Sequence, residues 1–547
     1  MDATRQPDAQ PPSTTARARS SGAPPSAALV IDWLTRWADG APHLTHASQV
    51  FLRGDRALKI KRAVDLGFLD FSSLPKRERA CRRELKVNLR FAPELYLGVR
   101  PILASDVDAG AASGPRFSFG PLLCAPETPY TAPPDAEICE WAVEMRRFEK
   151  GAEFDAMADR GGLTAPLIAA LADRVAAAHL DHLTENPPPE PGASYAQVVA
   201  QVETALAETD LAGEASGWAS RVRAALEASA EPSEAAARRR ARLARRLHGD
   251  LHLGNICLTD GAPTPFDALD FDDRLATIEP LYDVAFTVMD LLWRGADAHA
   301  QAFLSRYLSV TRDYAGLRAW PALLSLRASI RAMAATLRGD GATGAAQLHF
   351  ADALLSPRPA PRLLAVAGLS GVGKSTVARH LAPRLAPQAG AISLSTDVIR
   401  KRLAGVAPET TLPPSAYKLG TSRPVYRRML RDARRALHAG ATVVVDGVFA
   451  RRAERAAARA IAEELGVAFT GVWLQTPDAL RLDRVTARSA ASERDPSDAD
   501  RTVAARQQAE LGADEPGWIA ADASADVEAV CAALHPRLFR AFRGGAA

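Results

Sequence analysis

Several things are scarce in this chain, and each scarcity excludes something. Lysine is the first: of 67 cationic side chains only eight are lysines, and the other fifty-nine are arginines. An ammonium at a motif position is therefore informative, because a compact point charge and a planar fork are not interchangeable at a phosphate. Cysteine is also rare. Cys81, Cys124, Cys139, Cys257 and Cys531 form no CxxC pair and no metal-ligand spacing, and the odd count fits isolated reduced thiols in a cytosolic protein. No apolar run is long enough to span a bilayer, which argues against a membrane protein. The first residues lack the apolar core of a signal peptide. Net charge is low, +3 over 547 residues, and aromatics make up 6%. Both disfavour a nucleic-acid partner, which needs a basic face and stacking rings. No internal repeat is visible.

What is present fits a globular protein of about three folding units at ~100–200 residues each. Residues 1–26 are polar and rich in Pro, Ser, Ala and Arg, and read as a disordered tail. A first domain is expected over 27–355, a Pro-rich linker over 356–361 (Ser-Pro-Arg-Pro-Ala-Pro), and a second domain over 362–547. Gln49–Leu52 and Ala57–Ile60 read as a hairpin with a turn through Gly54. Arg77–Arg90 reads as a charged helix, and Leu95–Leu103 and Glu140–Phe148 as extended. Asn186–Gly192, with its prolines, reads as a loop or spacer. After residue 362 strands and helices alternate: Leu363–Ala367, Ala391–Leu394, Val425–Ala439, Thr442–Val445, Ala453–Leu465, Ala468–Leu474. That alternation predicts βαβ units and a mainly parallel sheet.

The strongest motif is Gly368-Leu369-Ser370-Gly371-Val372-Gly373-Lys374-Ser375, followed by Thr376. It matches G-x-x-x-x-G-K-[ST] in full, after a buried-type strand and at the start of a helix. Glycines let backbone N–H groups turn inward around phosphates, and the helix N-terminus adds positive potential there. Lys374 is expected at the β- and γ-phosphates of ATP and Ser375 on Mg²⁺. Asp446, ending the strand Thr442–Val445, is expected to orient the same Mg²⁺; a turn or cap role is the plain alternative. Asp397 follows another strand and is expected to serve an acceptor hydroxyl, with Arg400 one helical turn on to hold that substrate; helix capping by Thr396 or Asp397 explains the same residues without chemistry. Thr476-Pro477-Asp478 starts a helix on which Arg481, Arg484 and Arg488 share a face, as a phosphate clamp or as a solvated surface.

With these residues in view, the segment from about Arg362 onward resembles the P-loop kinases that include gluconate kinases, zeta-toxin kinases and the 5′-kinase domain of polynucleotide kinases. The resemblance implies that Asp397 serves the acceptor and that Arg484 and Arg488 belong to a nucleotide lid.

A second constellation is His248-Gly249-Asp250-Leu251-His252-Leu253-Gly254-Asn255, followed by Leu269-Asp270-Phe271-Asp272. Its spacing parallels the kinase catalytic loop H-R-D-x-x-x-x-N with a later metal-binding Asp. A zinc site on His248, His252 and Asp250 is an alternative, which Gly249 and Gly254 disfavour by breaking the helix such a pair needs. The motif resembles the aminoglycoside phosphotransferase and choline kinase-like group. By that resemblance Asp250 is the catalytic base, Asn255 and Asp270 bind Mg²⁺, Asp283 supports the loop, and Lys59 holds the ATP phosphates with Glu84 as its partner. Lys61, with the same strand parity, competes with Lys59. Glu140–Arg147 would be the hinge beside the adenine. No G-x-G-x-x-G precedes Lys59, so the phosphate cover is shorter than in protein kinases.

The whole resembles bacterial proteins that fuse these two domains, in which Gly67–Ser72 and Glu94–Val99 look typical. It implies an α/β and α+β multidomain chain: an N-terminal bilobal protein kinase-like (aminoglycoside phosphotransferase-like) fold followed by a P-loop NTPase parallel α/β sheet domain. The expected function is bifunctional, ATP- and Mg²⁺-dependent phosphoryl transfer to hydroxyls of small molecules. A nucleotide-binding regulator with one inactive site, or a polynucleotide 5′-kinase in the C-terminal half, are the alternatives. The sequence names neither the acceptor nor the oligomeric state.

Overall fold

A computed structural model describes residues 27–45, 47–65, 69–105, 116–184, 192–230, 242–417, 419–490 and 517–543, with Ser233 and Arg240. The expected tail, Gly67 and Phe68, the prolines of 186–191, Lys418 and the side chain of Arg488 lie outside the described residues. The chain divides into two compact units, 1–86 with 96–147, and 87–95 with 148–547. The Pro-rich stretch 356–361 falls inside the second.

The first unit is built on an antiparallel sheet of β1 (His43–Leu44), β2 (Ser48–Arg53), β3 (Arg56–Lys61), β4 (Tyr96–Ser105), β5 (Arg116–Phe119) and β6 (Ala136–Arg146), in the order β1-β2-β3-β6-β4-β5. The hairpin β2–β3 turns through Gly54 at φ +53°. Along β3 successive side chains alternate. Leu58 and Ile60 join Val30, Leu34, Phe51 and Ile102 in the core, which leaves Lys59 and Lys61 on the other face.

The second unit has helices Ala165–Thr184, Pro280–Trp293, Asp297–Thr311 and Trp320–Leu337 and two short strand pairs, β7 (Arg245–Arg246) with β10 (Thr277–Ile278), and β8 (Ile256–Thr259) with β9 (Ala262–Pro265). A parallel sheet follows: β11 (Arg362–Ala367), β12 (Ile392–Ser395), β13 (Val443–Asp446), β14 (Ala468–Gln475) and β15 (Ile519–Asp522), ordered β12-β13-β11-β14-β15. The expected βαβ alternation is present. Its central strands β11 and β13 are apolar on both faces, as parallel strands covered by helices must be. The largest apolar cluster of the unit runs from the helices into the sheet: Phe303 and Leu304 of the helices belong to it together with Leu363, Ile392 and Val443 of the sheet.

The architecture is the expected mixed α/β one, with an antiparallel sheet first and a parallel sheet after it. Among the described residues no helix is long and apolar enough to cross a membrane.

Candidate active sites

The Gly-rich loop leaves the C-terminal end of β11, the central strand, and runs into helix Lys374–Leu381. Its tight course needs glycine. At Gly371 φ is +89°, and a Cβ there would stand 2.5 Å from the carbonyl oxygen of Arg481. Arg481, fully buried, donates to the Ser370 oxygen at 3.2 Å and to Asp478 Oδ1 at 3.1 Å, so the helix Asp478–Ala490 braces the loop from behind. Lys374 Nζ donates to Leu369 O at 2.9 Å, which folds the side chain over its own loop.

Three parallel strands end abreast. The register pairs Val366 of β11 with Asp446 of β13, and Asp446 with Ser395 of β12. Asp446 Oδ1 accepts from Ser375 Oγ and from Ser395 Oγ, each at 3.2 Å. Burial pushes the Asp446 carboxyl up to about 6 and the neighbouring Asp397 carboxylate adds to this, while Lys374 and the two hydroxyls pull the other way. The loop, the expected metal carboxylate and the expected acceptor carboxylate are thus gathered at one end of the sheet, where α/β folds hold ligands.

Asp397 lies in the first turn of helix Thr396–Leu403. The capping alternative, Thr396 or Asp397, puts the cap one or two residues late. Ser395 is the N-cap, and its hydroxyl turns to Asp446 rather than back to the helix. Arg400 is buried, donates to Ala416 O at 2.7 Å and stacks 4.7 Å over the Tyr417 ring. Arg484 donates to Ala523 O at 2.8 Å and Ser524 O at 3.1 Å, so its fork is engaged with the chain after β15. Thr376 is exposed on the first turn of its helix.

The second constellation is a loop held from beneath by a single helix. Along Pro280–Trp293, Asp283, Thr287 and Asp290 recur at helical spacing on one face. Asp283 accepts the N–H groups of His248 at 2.9 Å and Gly249 at 3.0 Å. Thr287 Oγ1 donates to Leu251 O at 2.7 Å, and Asp290 accepts the N–H of Leu253 at 3.0 Å. Arg327 closes the other side, donating to Gly249 O at 3.0 Å and Tyr282 O at 2.9 Å. Asn255 Nδ2 donates to Asp250 Oδ2 at 2.9 Å, so the two residues meet as their spacing implies.

Burial works against ionisation of Asp250, but His252, His248 and Arg327 hold its carboxyl well below the ordinary carboxylate range. Asp270 sits on an irregular stretch rather than on the strand its sequence suggests. The N–H of Leu269, just before it, bonds to His248 O at 2.9 Å and ties the stretch to the loop. His248 Nε2 faces Phe266 O at 3.0 Å and His252 Nδ1 accepts the N–H of Gly254 at 3.1 Å. Among the described residues no three His, Cys, Asp or Glu side chains gather as a metal site, so the zinc alternative has no ligand set.

In the first unit Lys59 and Lys61 share one carboxylate. Lys59 Nζ lies 2.9 Å from Glu84 Oε1 and Lys61 Nζ 2.7 Å from Glu84 Oε2. Glu84, on helix Leu74–Asn88, is fully buried; burial raises its pKa, but the two ammonium groups outweigh that and keep it ionised. Lys59 is the more open lysine, 12% exposed against 5%. Glu140 on β6 forms a two-pronged pair with buried Arg77, Nε to Oε1 at 2.8 Å and to Oε2 at 2.9 Å.

Comparison with known proteins agrees with this geometry. Residues 128–320 match the phosphotransferase enzyme family and residues 363–513 match an AAA domain. The chain is an ATP-dependent phosphotransferase. It joins a phosphotransferase-family domain to a P-loop domain. An uncharacterized protein of Mycobacterium tuberculosis is 28% identical over 478 residues, 85% of this chain and 89% of its own. A gluconokinase from Sinorhizobium meliloti aligns with 34% of this phosphotransferase and 98% of its own chain, at 18% identity and a TM-score of 0.24. Aminoglycoside 2′-phosphotransferase-IIIa in its GDP complex aligns with 60% of it and 97% of its own chain, at 11% identity and a TM-score of 0.35.

Sequence reasoning missed Ser395, Asp290, Thr287, Arg327 and the bracing role of Arg481. The i, i+4, i+7 run from Asp283 was available on the helix; Ser395 and Arg327 carry no local signal.

Proposed function

We propose that this chain is a two-site enzyme, each site moving the γ-phosphoryl group of ATP to a hydroxyl of a small molecule. The observation that carries the reading is the convergence of Ser375, Ser395 and the Asp397 charge on Asp446 beside the glycine-rich loop.

In the P-loop site the backbone N–H groups of Gly368–Ser375 and the ammonium of Lys374 take the phosphates. Ser375 and Asp446 would hold Mg²⁺. The donor set fits that ion: hard oxygens, and a buried carboxylate whose charge lacks a full counter-charge. When bound, the ion neutralises phosphate charge. Asp397 orients the acceptor O–H toward the γ-phosphate and accepts its proton, and Arg400 takes an oxygen-rich or anionic part of the same substrate. Arg484 reaches phosphate only by leaving the Ala523 and Ser524 carbonyls.

In the other site Asp250 is the base that accepts the acceptor hydroxyl proton. It is held ionised by its cationic and imidazole neighbours, and Asn255 and Asp270 would supply oxygen ligands for Mg²⁺. Lys59, oriented by Glu84, takes ATP phosphates. Lys61 is the tighter, less open half of that triad and serves structure. Low net charge and few rings favour small hydroxylated acceptors over nucleic acid.

The test is an ATP-consumption screen of the full chain against sugars, polyols, aminoglycosides and nucleosides, repeated with Lys374→Ala and with Asp250→Asn. The reading expects acceptors whose phosphorylation is lost in one variant and kept in the other. Consumption that neither substitution lowers overturns it, as does nucleotide binding with no turnover on any acceptor.

A further inference from the structure

β12 is the edge strand of the parallel sheet, and the strand that delivers Ser395 and Asp397 to the P-loop site. On its inner side Ile392 N–H bonds to Thr442 O at 2.9 Å. Successive residues of a strand point their backbone groups to opposite sides, so Ala391 and Ser393 face outward. An open edge of this kind needs a cover.

Helix Asp297–Thr311 supplies the cover with side chains. Gln301, 3% exposed, donates through Nε2 to Ala391 O at 2.7 Å and Ser393 Oγ at 2.9 Å. Ser305 Oγ accepts the N–H of Ser393 at 3.0 Å and a hydrogen bond from Gln301 Nε2 at 2.9 Å. The next element is held as well. Arg402, at the end of helix Thr396–Leu403, pairs with Asp173 at 2.6 Å. Arg306 pairs with the same Asp173 at 2.9 Å and with Glu409 at 2.9 Å. Gln301, Ser305, Arg306 and Asp173 all lie within residues 128–320, the phosphotransferase-family segment. The same helix also reaches the other site: Tyr307 OH meets His179 Nδ1 at 2.9 Å, and His179 Nε2 lies 3.3 Å from Asp283 Oδ2, the carboxylate under the Asp250 loop.

We propose that Gln301 and Ser305 are positioning residues for the P-loop site: they fix the acceptor-side strand β12 against β13, so that the site is complete only with the preceding domain attached. The inference rests on the functional reading above. The phosphate loop itself hangs on β11, between β13 and β14, and does not need this support. Losing the cover should therefore spare nucleotide binding and damage the arrangement required for transfer. Displacement of a positioned group by about 1 Å costs on the order of a hundredfold in rate. Partial release of one edge contact is expected to cost about tenfold.

The experiment needs no acceptor. Affinity of the full chain for ADP·Mg²⁺, with and without fluoroaluminate as a mimic of the transferring phosphoryl group, is measured by calorimetry. The P-loop site is the one whose binding is lost in Lys374→Ala. Gln301→Ala and Ser305→Ala are expected to keep ADP affinity within about twofold while the tightening by fluoroaluminate falls about tenfold. Ser305→Thr, which keeps the hydroxyl, is expected to retain it, and so distinguishes positioning from general loosening. Unchanged tightening in both alanine variants overturns the proposal. So does a parallel fall in ADP affinity and tightening that follows a lowered melting temperature. If the parent chain shows no tightening, or shows tightening that survives Lys374→Ala, the functional reading itself fails and this inference falls with it.

Discussion

Ser375 and Asp446 lie 71 residues apart in the chain, and their side chains meet: Ser375 Oγ donates to Asp446 Oδ1 at 3.2 Å. The contact exists because β11 and β13 are adjacent parallel strands. Loop and carboxylate leave the same end of the sheet, and the buried carboxylate also feels the charge of Asp397. Two carboxylates at one sheet end are offset only in part by Lys374, so the ligand-free fold carries a cost that binding would relieve.

That cost is measurable. A carboxyl whose folded pKa is raised, here from 3.8 to about 6, costs no stability while both states are protonated; the cost grows as pH rises between those two values and is complete above about 6. At pH 7 Asp446 is therefore destabilising, and Asp446→Asn, which resembles the protonated form, is expected to stabilise the metal-free protein by about 1–3 kcal/mol. Urea unfolding in EDTA at pH 7 checks this. The same variant should lose Mg²⁺-dependent nucleotide binding at the P-loop site, and a midpoint at or below that of the parent would contradict the account.

Asp250→Asn removes a proton acceptor and leaves the loop, whose supports are Asp283, Thr287, Asp290 and Arg327. Turnover at that site should fall about 10²- to 10⁴-fold with ATP affinity within a few-fold of the parent. Asp283→Asn is expected to behave differently. Asparagine replaces one of two accepting oxygens with a donor facing an N–H, so both turnover and melting temperature should drop. Steady-state kinetics beside a melting curve separates the two variants.

Glu84 predicts an acid limb. Lys59 and Lys61 keep its folded pKa below the ordinary value of 4.5 despite burial. The stability it contributes is therefore present above about pH 4.5 and is lost as pH falls below that. Glu84→Gln leaves two little-exposed ammonium groups on a neutral side chain, and is expected to destabilise the protein by about 3–5 kcal/mol at pH 7. Its stability should also vary less with pH below that limit, as urea midpoints measured between pH 3 and pH 7 would reveal.

Much of this was legible in the sequence, for physical reasons that differ by element. The P-loop was legible because its glycines, lysine and serine are contiguous, and because a buried strand and an amphipathic helix flank them. Asp250 and Asn255 were legible because five residues of loop suffice to bring them together. Lys59 and Lys61 could not be ranked from parity alone, since both face the same way; the position of Glu84 between them is a tertiary fact. Ser395, Gln301 and Ser305 were invisible for the same reason. A hydroxyl or amide on an ordinary strand or helix gains meaning only when a distant edge arrives beside it. Helical spacing put Arg484 on a face that could clamp phosphates or meet solvent, but spacing cannot show that Ala523 and Ser524 offer it two carbonyls.

The central claim is that one chain holds two ATP sites, and counting them is the most direct test. Calorimetric titration of the full chain with ATP and Mg²⁺ is expected to give two nucleotides per chain. Lys374→Ala should remove one of them, because hydrogen bonds to charged groups contribute about 1.5–3 kcal/mol each and the phosphates lose their cation. Lys59→Ala should remove or weaken the other, and the double variant should bind none. A stoichiometry of one in the parent chain, or an unchanged isotherm in Lys374→Ala, would contradict the account.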